Sequence, residues 1–439
     1  MEETAPVPDS LDLDRFLLSG LVKGLPPGVA PFPLGELAAK RWNLLREDLP
    51  LPAAVLKSSA IDHNDRWMQS FLALSGARIA PHGKTTMSPA LFRRQLDDGA
   101  WAMTVATAQQ VRVCRAMGIE RIVLANQLIG RQAIRYVLDE LAADPAFEFY
   151  CLIDSVACVE MLARAAERHP PRAPINLLLE GGIAGGRTGC RDLAGALEVA
   201  RAVKRAGAPL RLRGVEGFEG LIGGKTAEET EAGIRAFLEF LATIAEACVR
   251  EDLFAAGPVI LSAGGSAFYD LVAERFSRER LGRESLVLIR SGCYLTHDSA
   301  AYRRAFERLR QRTPAVEALG EGLKPALEVW AYVQSRPEPG KAICTVGRRD
   351  ISSDLDMPVP LAWYRPGTNA APQPIGPGHT VTGLNDQHAH LALPKESPLA
   401  VGDMISFGVS HPCTTFDKWQ VLYLVDDAYD VTGAVRTYF

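Results

Sequence analysis

The sequence predicts an α/β fold, a closed (β/α)8 TIM-like barrel followed by an antiparallel β domain. From Ala53 onward, short apolar runs alternate with amphipathic stretches of helical period, in eight or nine βα units. Beyond about residue 313 the chain changes to short β-rich runs separated by Pro and Gly clusters. A doubly wound open sheet would give the same alternation, because periodicity does not report closure, but the number of units favours the barrel.

The predicted strands share an apolar composition, and most precede a helical stretch rich in Ala, Leu, Arg and Glu. They lie at residues 53–57, 78–81, 102–105, 121–125, 147–153, 175–179, 210–214, 259–262 and 286–289. The β-rich runs of the C-terminal region include residues 327–334 and 342–346.

Three regions follow from these changes. Residues 1–48 hold one helical stretch over residues 11–21 and a proline-rich passage, and we expect them to pack beside the β domain. Residues 49–315 form the barrel, and residues 316–439 form the C-terminal β domain.

Bulk properties exclude several classes of protein. The net charge of −4 provides no basic field for nucleic acid. No uninterrupted apolar window is long enough for a membrane helix, and residues 1–10 do not resemble a signal peptide, so we expect a cytoplasmic protein. The eight cysteines form no Cys-x-x-Cys pair, which favours reduced thiols.

Lys84 stands between Pro, His, Gly and two threonines, directly after a short strand. A lysine at a strand end that faces a cavity can carry a neutral or Schiff-base nitrogen, as pyridoxal phosphate requires. A solvated loop lysine is the alternative.

The segment Pro-His-Gly-Lys-Thr at residues 81–85, followed by Ser-Pro and by Val-Ala-Thr at residues 105–107, resembles the cofactor-lysine segment of one enzyme family. This is the D-serine dehydratase and D-threonine aldolase family of alanine racemase-like, fold type III pyridoxal-phosphate enzymes. The resemblance implies that Lys84 binds the cofactor covalently. His82 either orients the cofactor or packs in the loop.

A Gly-Gly pair at residues 262–266, Ser-Ala-Gly-Gly-Ser, lies between a predicted strand and a helix that starts near Phe268. Backbone N–H groups at such a turn can converge on a phosphate, although turns also use glycine for conformational reasons. The resemblance assigns Gly264, Gly265 and Ser266 to the cofactor phosphate. It also places Tyr294, in Ser-Gly-Cys-Tyr, beside the cofactor.

Arg187 lies in a glycine-rich turn that resembles the family's Gly-x-Arg-x-Gly turn, whose arginine lies near the pyridine ring. A permanent cation there favours the cofactor's phenolate oxygen; a surface arginine is the alternative. Phe218 occupies a place where we expect relatives to carry tyrosine. A phenylalanine can stack but cannot hydrogen-bond.

His411 and Cys413 are two residues apart on a segment predicted to be extended, so both side chains point to one face. An imidazole and a thiolate together suit zinc. The pair resembles the zinc pair of D-serine dehydratases, whereas the aldolase relatives place an aspartate where this chain has Cys413. His388 and His390 alternate on a strand and are left out of the metal set.

The resemblance implies a pyridoxal 5'-phosphate- and Zn²⁺-dependent dehydratase, a deaminating lyase that converts D-serine and related D-β-hydroxy amino acids into a 2-oxo acid and ammonia. The alternatives are a metal-dependent D-threonine aldolase, an amino-acid racemase and a non-catalytic cofactor-binding protein. The only partners expected are a small D-amino acid and, as in relatives, a second copy of the chain in a homodimer.

Overall fold

A computed structural model describes residues 13–439 of the chain, which form two compact units. The barrel unit comprises residues 69–84 and 95–292. The second unit comprises the described residues up to 68, together with residues 85–94 and 293–439. The prediction for residues 1–10 lies outside the described residues.

The N-terminal segment is extended and turn-rich. The helix expected over residues 11–21 is wrong for its described part, which contains a 3₁₀ turn at Leu13–Arg15 and strand β1 at Leu17–Leu18. β1 pairs antiparallel with β2, Phe32–Pro33. In β1 Leu17 is exposed and Leu18 is buried, which is the alternation of an extended strand. The helical spacing of apolar residues in this segment therefore did not predict its structure. Short 3₁₀ turns follow at Leu34–Glu36 and Ala38–Lys40.

After strand β3, Ala53–Lys57, and helix α1, Ser58–Ser75, the chain enters an alternating series. The strands are β4 Arg78–Ile79, β5 Met103–Val105, β6 Arg121–Gln127, β7 Glu148–Ile153, β8 Ile175–Gly181, β9 Leu210–Gly217, β10 Val259–Ala263 and β11 Ser285–Ile289. The helices are α2 Pro89–Asp97, α3 Ala108–Ala116, α4 Arg131–Ala143, α5 Val156–Arg168, α6 Leu193–Ala206, α7 Ala227–Arg250 and α8 Tyr269–Ser277, with 3₁₀ turns at Gly83–Thr85 and Glu219–Leu221.

Strands β4 to β11 form the predicted barrel. All are parallel, in the order β4-β11-β10-β9-β8-β7-β6-β5. The sheet closes between its first and last members, because His82 forms a parallel bridge to Thr104 and the Thr104 amide donates to Pro81 O at 2.9 Å. Buried side chains from several strands fill the interior, as the barrel architecture requires: Ala80, Ala102, Val123, Tyr150, Leu152, Leu178, Ile260 and Leu288.

The second unit is built on a ten-stranded, mainly antiparallel sheet. Its later elements are α9 Ala301–Arg312, α10 Pro314–Glu317, β12 Leu327–Glu338, β13 Lys341–Cys344, β14 Val359–Tyr364, β15 Gln373–Pro374, β16 Thr380–Leu384, β17 Ala389–Ala392, β18 Met404–Gly408, α11 Cys413–Phe416, β19 Val421–Val425 and β20 Val431–Arg436.

Strand β3 differs from the expectation that it opens the barrel. It pairs antiparallel with β12 and parallel with β19, so it belongs to the sheet of the second unit. Its side chains are apolar on both faces, and this composition fits a central strand of either sheet. Pairing between distant segments, which periodicity does not encode, decides the outcome.

The core of the second unit is shared between the N-terminal segment and this sheet. Leu18, Phe32, Leu37 and Leu44 pack in one cluster with Trp330 and further residues of the sheet. Among residues 13–439, no helix is both long and apolar enough to cross a membrane.

Candidate functional site

Lys84 lies just beyond the carboxyl end of β4, in the 3₁₀ turn Gly83–Thr85. Its side chain is exposed. Residues at the carboxyl ends of barrel strands are where enzymes of this fold carry their chemistry. Lys84 therefore lies at the end of the barrel that carries the chemistry in enzymes of this fold.

His82 is held by the bridge that closes the barrel. Its Nδ1 is buried and has no hydrogen-bond partner among the described residues. The pKa of His82 lies well below its usual value, because burial disfavours the imidazolium and because the charges of Lys84, Arg290 and Arg187 act in the same direction. The ring is therefore neutral near pH 7, and its Nδ1 makes no hydrogen bond to the described residues.

A buried ion pair joins the carboxyl ends of three neighbouring strands. Arg290, directly after β11, pairs with Glu216 of β9 and donates to Ser262 Oγ at 3.1 Å and to Gly217 O at 3.0 Å. Burial raises the pKa of Glu216 to about 7, against the opposing charge of Arg290. Sequence analysis missed both residues, although each is a charge at the end of an apolar strand, which is the available signal.

Arg187 lies in the turn after β8, and its guanidinium carbon is 5.1 Å from the centre of the Phe218 ring. The next residue, Thr188, donates to Glu180 Oε1 at 2.7 Å, and Gln127 donates to the other oxygen of Glu180 at 2.5 Å. The first bond ties the turn to β8, and the second ties β8 to β6. Arg187 is exposed, so its cation is available to an anionic ligand.

The glycine turn after β10 brings two backbones together. A Cβ on Gly264 would lie 2.6 Å from the Arg290 amide nitrogen, so a side chain there requires a backbone shift. Gly265 donates its N–H to Glu219 Oε1 at 2.7 Å. The adjacent Ser266 is half-buried. Burial raises the pKa of Glu219, opposed by this amide hydrogen bond.

These residues fit pyridoxal phosphate. Lys84, Arg187 and Arg290 give a cationic surrounding for an anionic cofactor, and the orphaned His82 Nδ1 is open to a polar group. The fit is weaker at two points: Phe218 offers no hydrogen bond to a pyridine nitrogen, and Glu219 already accepts an amide of the predicted phosphate loop.

The predicted metal pair lies in the second unit. His411 Nδ1 is 2.7 Å from Asp354 Oδ2, and Cys413 follows two residues later in the chain. Burial lowers the pKa of His411, but the bonds and charges of Cys413 and Asp354 outweigh it and raise the pKa to about 9. A carboxylate on one imidazole nitrogen leaves the other for a metal, the usual arrangement of a histidine ligand.

A second thiol lies beside the pair. Cys413 Sγ is 3.7 Å from Cys293 Sγ and 3.5 Å from Thr85 Oγ1. The hydrogen bond with Cys293 and that with His411 hold the pKa of Cys413 well below its usual value, although burial acts in the opposite direction. The sequence predicts no role for Cys293, because its spacing of 120 positions from Cys413 carries no signal of contact.

Within residues 13–439 no group of three or more His, Cys, Asp or Glu side chains could hold a metal ion. The His411 and Cys413 donors nevertheless match the nitrogen and sulfur ligands of zinc. Two protein ligands fit only a site whose remaining positions belong to water or substrate.

Tyr294 belongs to the second unit and is buried. Its predicted place beside the cofactor, like the cofactor and metal roles of the other residues, stays a prediction.

The fold and the lysine turn define an alanine racemase-like protein of fold type III. Residues 56–272 match the family model of the alanine racemase N-terminal domain, and residues 326–425 match that of a putative serine dehydratase domain. The chain therefore belongs to the alanine racemase-like proteins that carry a putative serine dehydratase domain. No curated protein sequence matches it.

Solved structures share the whole architecture. The D-threonine aldolase from Filomicrobium marinum is 23% identical, with 89% of this chain and 95% of that chain covered and a TM-score of 0.73. The D-threo-3-hydroxyaspartate dehydratase from Delftia sp. HT23 is 20% identical, with 90% and 99% covered and a TM-score of 0.67. A variant of a D-threo-3-hydroxyaspartate dehydratase with one cysteine replaced by alanine, described as metal-free, is 20% identical, with 91% and 99% covered and a TM-score of 0.68. At these identities the likeness shows the fold.

Proposed function

We propose that this protein is a pyridoxal-phosphate- and zinc-dependent lyase that deaminates D-serine and related D-β-hydroxy amino acids. The net reaction converts D-serine into pyruvate and ammonia: loss of water across the Cα–Cβ bond gives an enamine, which tautomerises to an imine, and a water molecule then hydrolyses this imine. The observation that carries the proposal is the 2.7 Å contact of His411 Nδ1 with Asp354 Oδ2, two residues before the Cys413 thiol.

The thiol supports dehydration over the other reactions of this fold. A cysteine at position 413 matches the dehydratase pattern, whereas the aldolase relatives are expected to carry an aspartate there. The cysteine variant of a D-threo-3-hydroxyaspartate dehydratase is described as metal-free, which is consistent with a metal held by cysteine in that protein. A racemase would have no use for the pair.

In the barrel unit, the amine of Lys84 would hold the cofactor and, once displaced by the substrate amine, take up the α-proton. Bound pyridoxal phosphate supplies an electron sink for the charge left on Cα. Arg187 offers its cation to the cofactor's phenolate oxygen, and the neutral His82 offers one nitrogen without adding positive charge.

In the second unit, His411 and Cys413 would hold zinc, which as a Lewis acid makes a β-hydroxyl a better leaving group. Asp354 fixes the imidazole through Nδ1, and so orients the ligand. Thr85, whose hydroxyl contacts Cys413, is the residue after Lys84 in the sequence.

The second candidate is a metal-dependent D-threonine aldolase, favoured by the fold likeness to the Filomicrobium marinum aldolase. Product identity separates the two: purified protein is incubated with D-serine and D-threonine, and the products are identified by mass spectrometry. The dehydratase yields pyruvate or 2-oxobutyrate with ammonia. Glycine with an aldehyde would overturn the proposal, and so would L-amino acids or the absence of any product.

The metal is tested on the same protein. Chelation should abolish product formation while the cofactor absorbance stays, and added zinc should restore turnover. Cys413→Ser should lose bound zinc, measured by elemental analysis, whereas Cys344→Ser, a buried cysteine of β13, should keep it. Full turnover after chelation would contradict a zinc-dependent reaction.

The cofactor lysine has its own test. Lys84→Ala should lose the near-ultraviolet and visible absorbance of covalently bound pyridoxal phosphate. It should also lose all turnover, because in this proposal the amine of Lys84 both binds the cofactor and takes up the α-proton. Lys395→Ala, which changes an exposed lysine of the second unit, should keep both. A Lys84→Ala protein with the wild-type spectrum after reduction by borohydride would exclude Lys84 as the covalent residue.

A further inference from the structure

Two cysteines far apart in the sequence meet in the second unit. The sulfur atoms of Cys293 and Cys413 are 3.7 Å apart, and Thr85 Oγ1 lies 3.7 Å from the first and 3.5 Å from the second. A disulfide requires an S–S distance of about 2.05 Å, so the sulfurs have to approach by under 2 Å. Side-chain rotation about χ1 moves a sulfur through distances of this order.

The two thiols differ in their access to solvent. Cys413 is half-buried, whereas Cys293 is 4% exposed, so Cys413 is the thiol that a small oxidant meets first. None of the eight cysteines, all within residues 13–439, forms a disulfide in the structure. A partly exposed thiol in contact with a buried thiol is the arrangement of an attacking and a resolving cysteine.

We propose that Cys293 and Cys413 are a peroxide-sensitive pair whose disulfide removes the thiol ligand of the metal site. The disulfide itself follows from the geometry. Its consequence for the metal and for turnover rests on the proposed function.

The chemistry balances with hydrogen peroxide as the oxidant. The sulfur of Cys413 attacks one peroxide oxygen, the O–O bond breaks, and the thiol becomes a sulfenic acid while one water leaves. The sulfur of Cys293 then attacks the sulfenic sulfur, forms the S–S bond and releases a second water. Peroxide is reduced to two waters, and the two thiols together lose two protons and two electrons. A dithiol reductant reverses the change.

Metal and oxidant compete for one atom. A zinc ion on Cys413 withholds its sulfur from peroxide, and a disulfide withholds it from zinc. Zinc-loaded protein should therefore form the disulfide more slowly than chelated protein. With the thiol lost to a disulfide, His411 would be the remaining one of the two proposed ligands, and a single imidazole binds zinc weakly.

The experiment treats the full-length protein with hydrogen peroxide, after chelation and after loading with zinc chloride, and maps disulfides by mass spectrometry of non-reduced peptides. We expect one linked pair of peptides containing Cys293 and Cys413, the loss of two of the eight thiols in denatured protein, and recovery with dithiothreitol. Zinc should slow the linkage at least several-fold.

Two variants test whether the linkage depends on Cys293. Cys293→Ser should form no linked peptides and should instead accumulate a sulfenic acid on Cys413 that dimedone traps; Cys344→Ser should link as wild type does. The peptides that contain Cys293 and Cys413 have to be recovered from the digest. If they then carry a persistent sulfenic acid or unmodified thiols in wild-type protein, the proposal fails. It also fails if other cysteines link first. Zinc-dependent turnover with no disulfide would overturn this inference alone, and a mapped disulfide without turnover would overturn the proposed function alone.

Discussion

His297 illustrates what burial does to one titratable side chain. Its ring is 3% exposed, packs edge-on against Phe306 with 6.0 Å between ring centres, and leaves Nε2 without a partner among the described residues. Burial, helped by the charge of Arg303, lowers the pKa of His297 to about 3. The folded protein therefore keeps this imidazole neutral where the unfolded chain would take up a proton.

The consequence is acid sensitivity. The stability that neutral His297 contributes is fully present above the unfolded pKa of 6.5 and is lost as the pH falls from there toward 3. His297→Asn, which suits the positive φ of 43° at this position, removes the titrating group. Between pH 7 and pH 5 the free energy of unfolding should fall by about 2 kcal/mol less in the variant than in wild type.

Urea denaturation at a series of pH values measures this difference. Above pH 7.5 the two proteins should change in parallel, since His297 is neutral in both folded and unfolded states there. Equal losses on acidification would show that His297 does not control acid stability.

At the scale of the element, the two adjacent glycines of the turn after β10 differ in how much room each has for a side chain. A Cβ on Gly264 would meet the Arg290 amide nitrogen at 2.6 Å, and that backbone cannot move away without disturbing β11. A Cβ on Gly265 would meet the tip of the Glu219 side chain at 3.3 Å, which can give way.

Gly264→Ala should therefore destabilise the protein by about 1–3 kcal/mol, the usual cost of overpacking, while Gly265→Ala should cost less. Chemical denaturation of the two variants compares them directly. If Gly264 also approaches the cofactor phosphate, Gly264→Ala should weaken pyridoxal-phosphate binding, measured by titration of the cofactor absorbance. Equal stability of the two variants would contradict the close approach.

Most barrel strands were predicted within a few residues, because buried parallel strands are continuous apolar runs. The helix over residues 11–21 was not, since its Leu-rich spacing suits a short strand and turns equally well once Phe32–Pro33 is beside it. Local periodicity therefore succeeds where the element is long and buried on both faces, and fails where tertiary pairing selects between two local structures.

At the scale of the whole molecule, the N-terminal segment supplies the core of the second unit. Leu44 is 0% exposed in the cluster around Trp330, whereas Leu21 in the same segment is 98% exposed. The two leucines form a matched pair, identical in chemistry and opposite in burial.

Leu44→Ala should lower the free energy of unfolding by about 2–5 kcal/mol, and Leu21→Ala should change it by less than about 0.5 kcal/mol. Thermal or urea unfolding followed by tryptophan fluorescence reports mainly on the second unit, which holds five of the six tryptophans, Trp330 among them. If Leu44→Ala proves as mild as Leu21→Ala, the N-terminal segment does not stabilise this core.

The sequence by itself determined the α/β class, the barrel, the C-terminal β domain and the family, because strand composition and the Pro-His-Gly-Lys-Thr segment are local properties of the chain. Only the tertiary structure decided that β3 joins the second sheet, that Arg290 pairs with Glu216, and that Cys293 lies beside Cys413. Each of these contacts joins residues 74 or more positions apart, through strand pairing or side-chain packing. Spacing along the chain sets which residues share a face of one element, but which distant elements meet is settled by the packing of the whole unit.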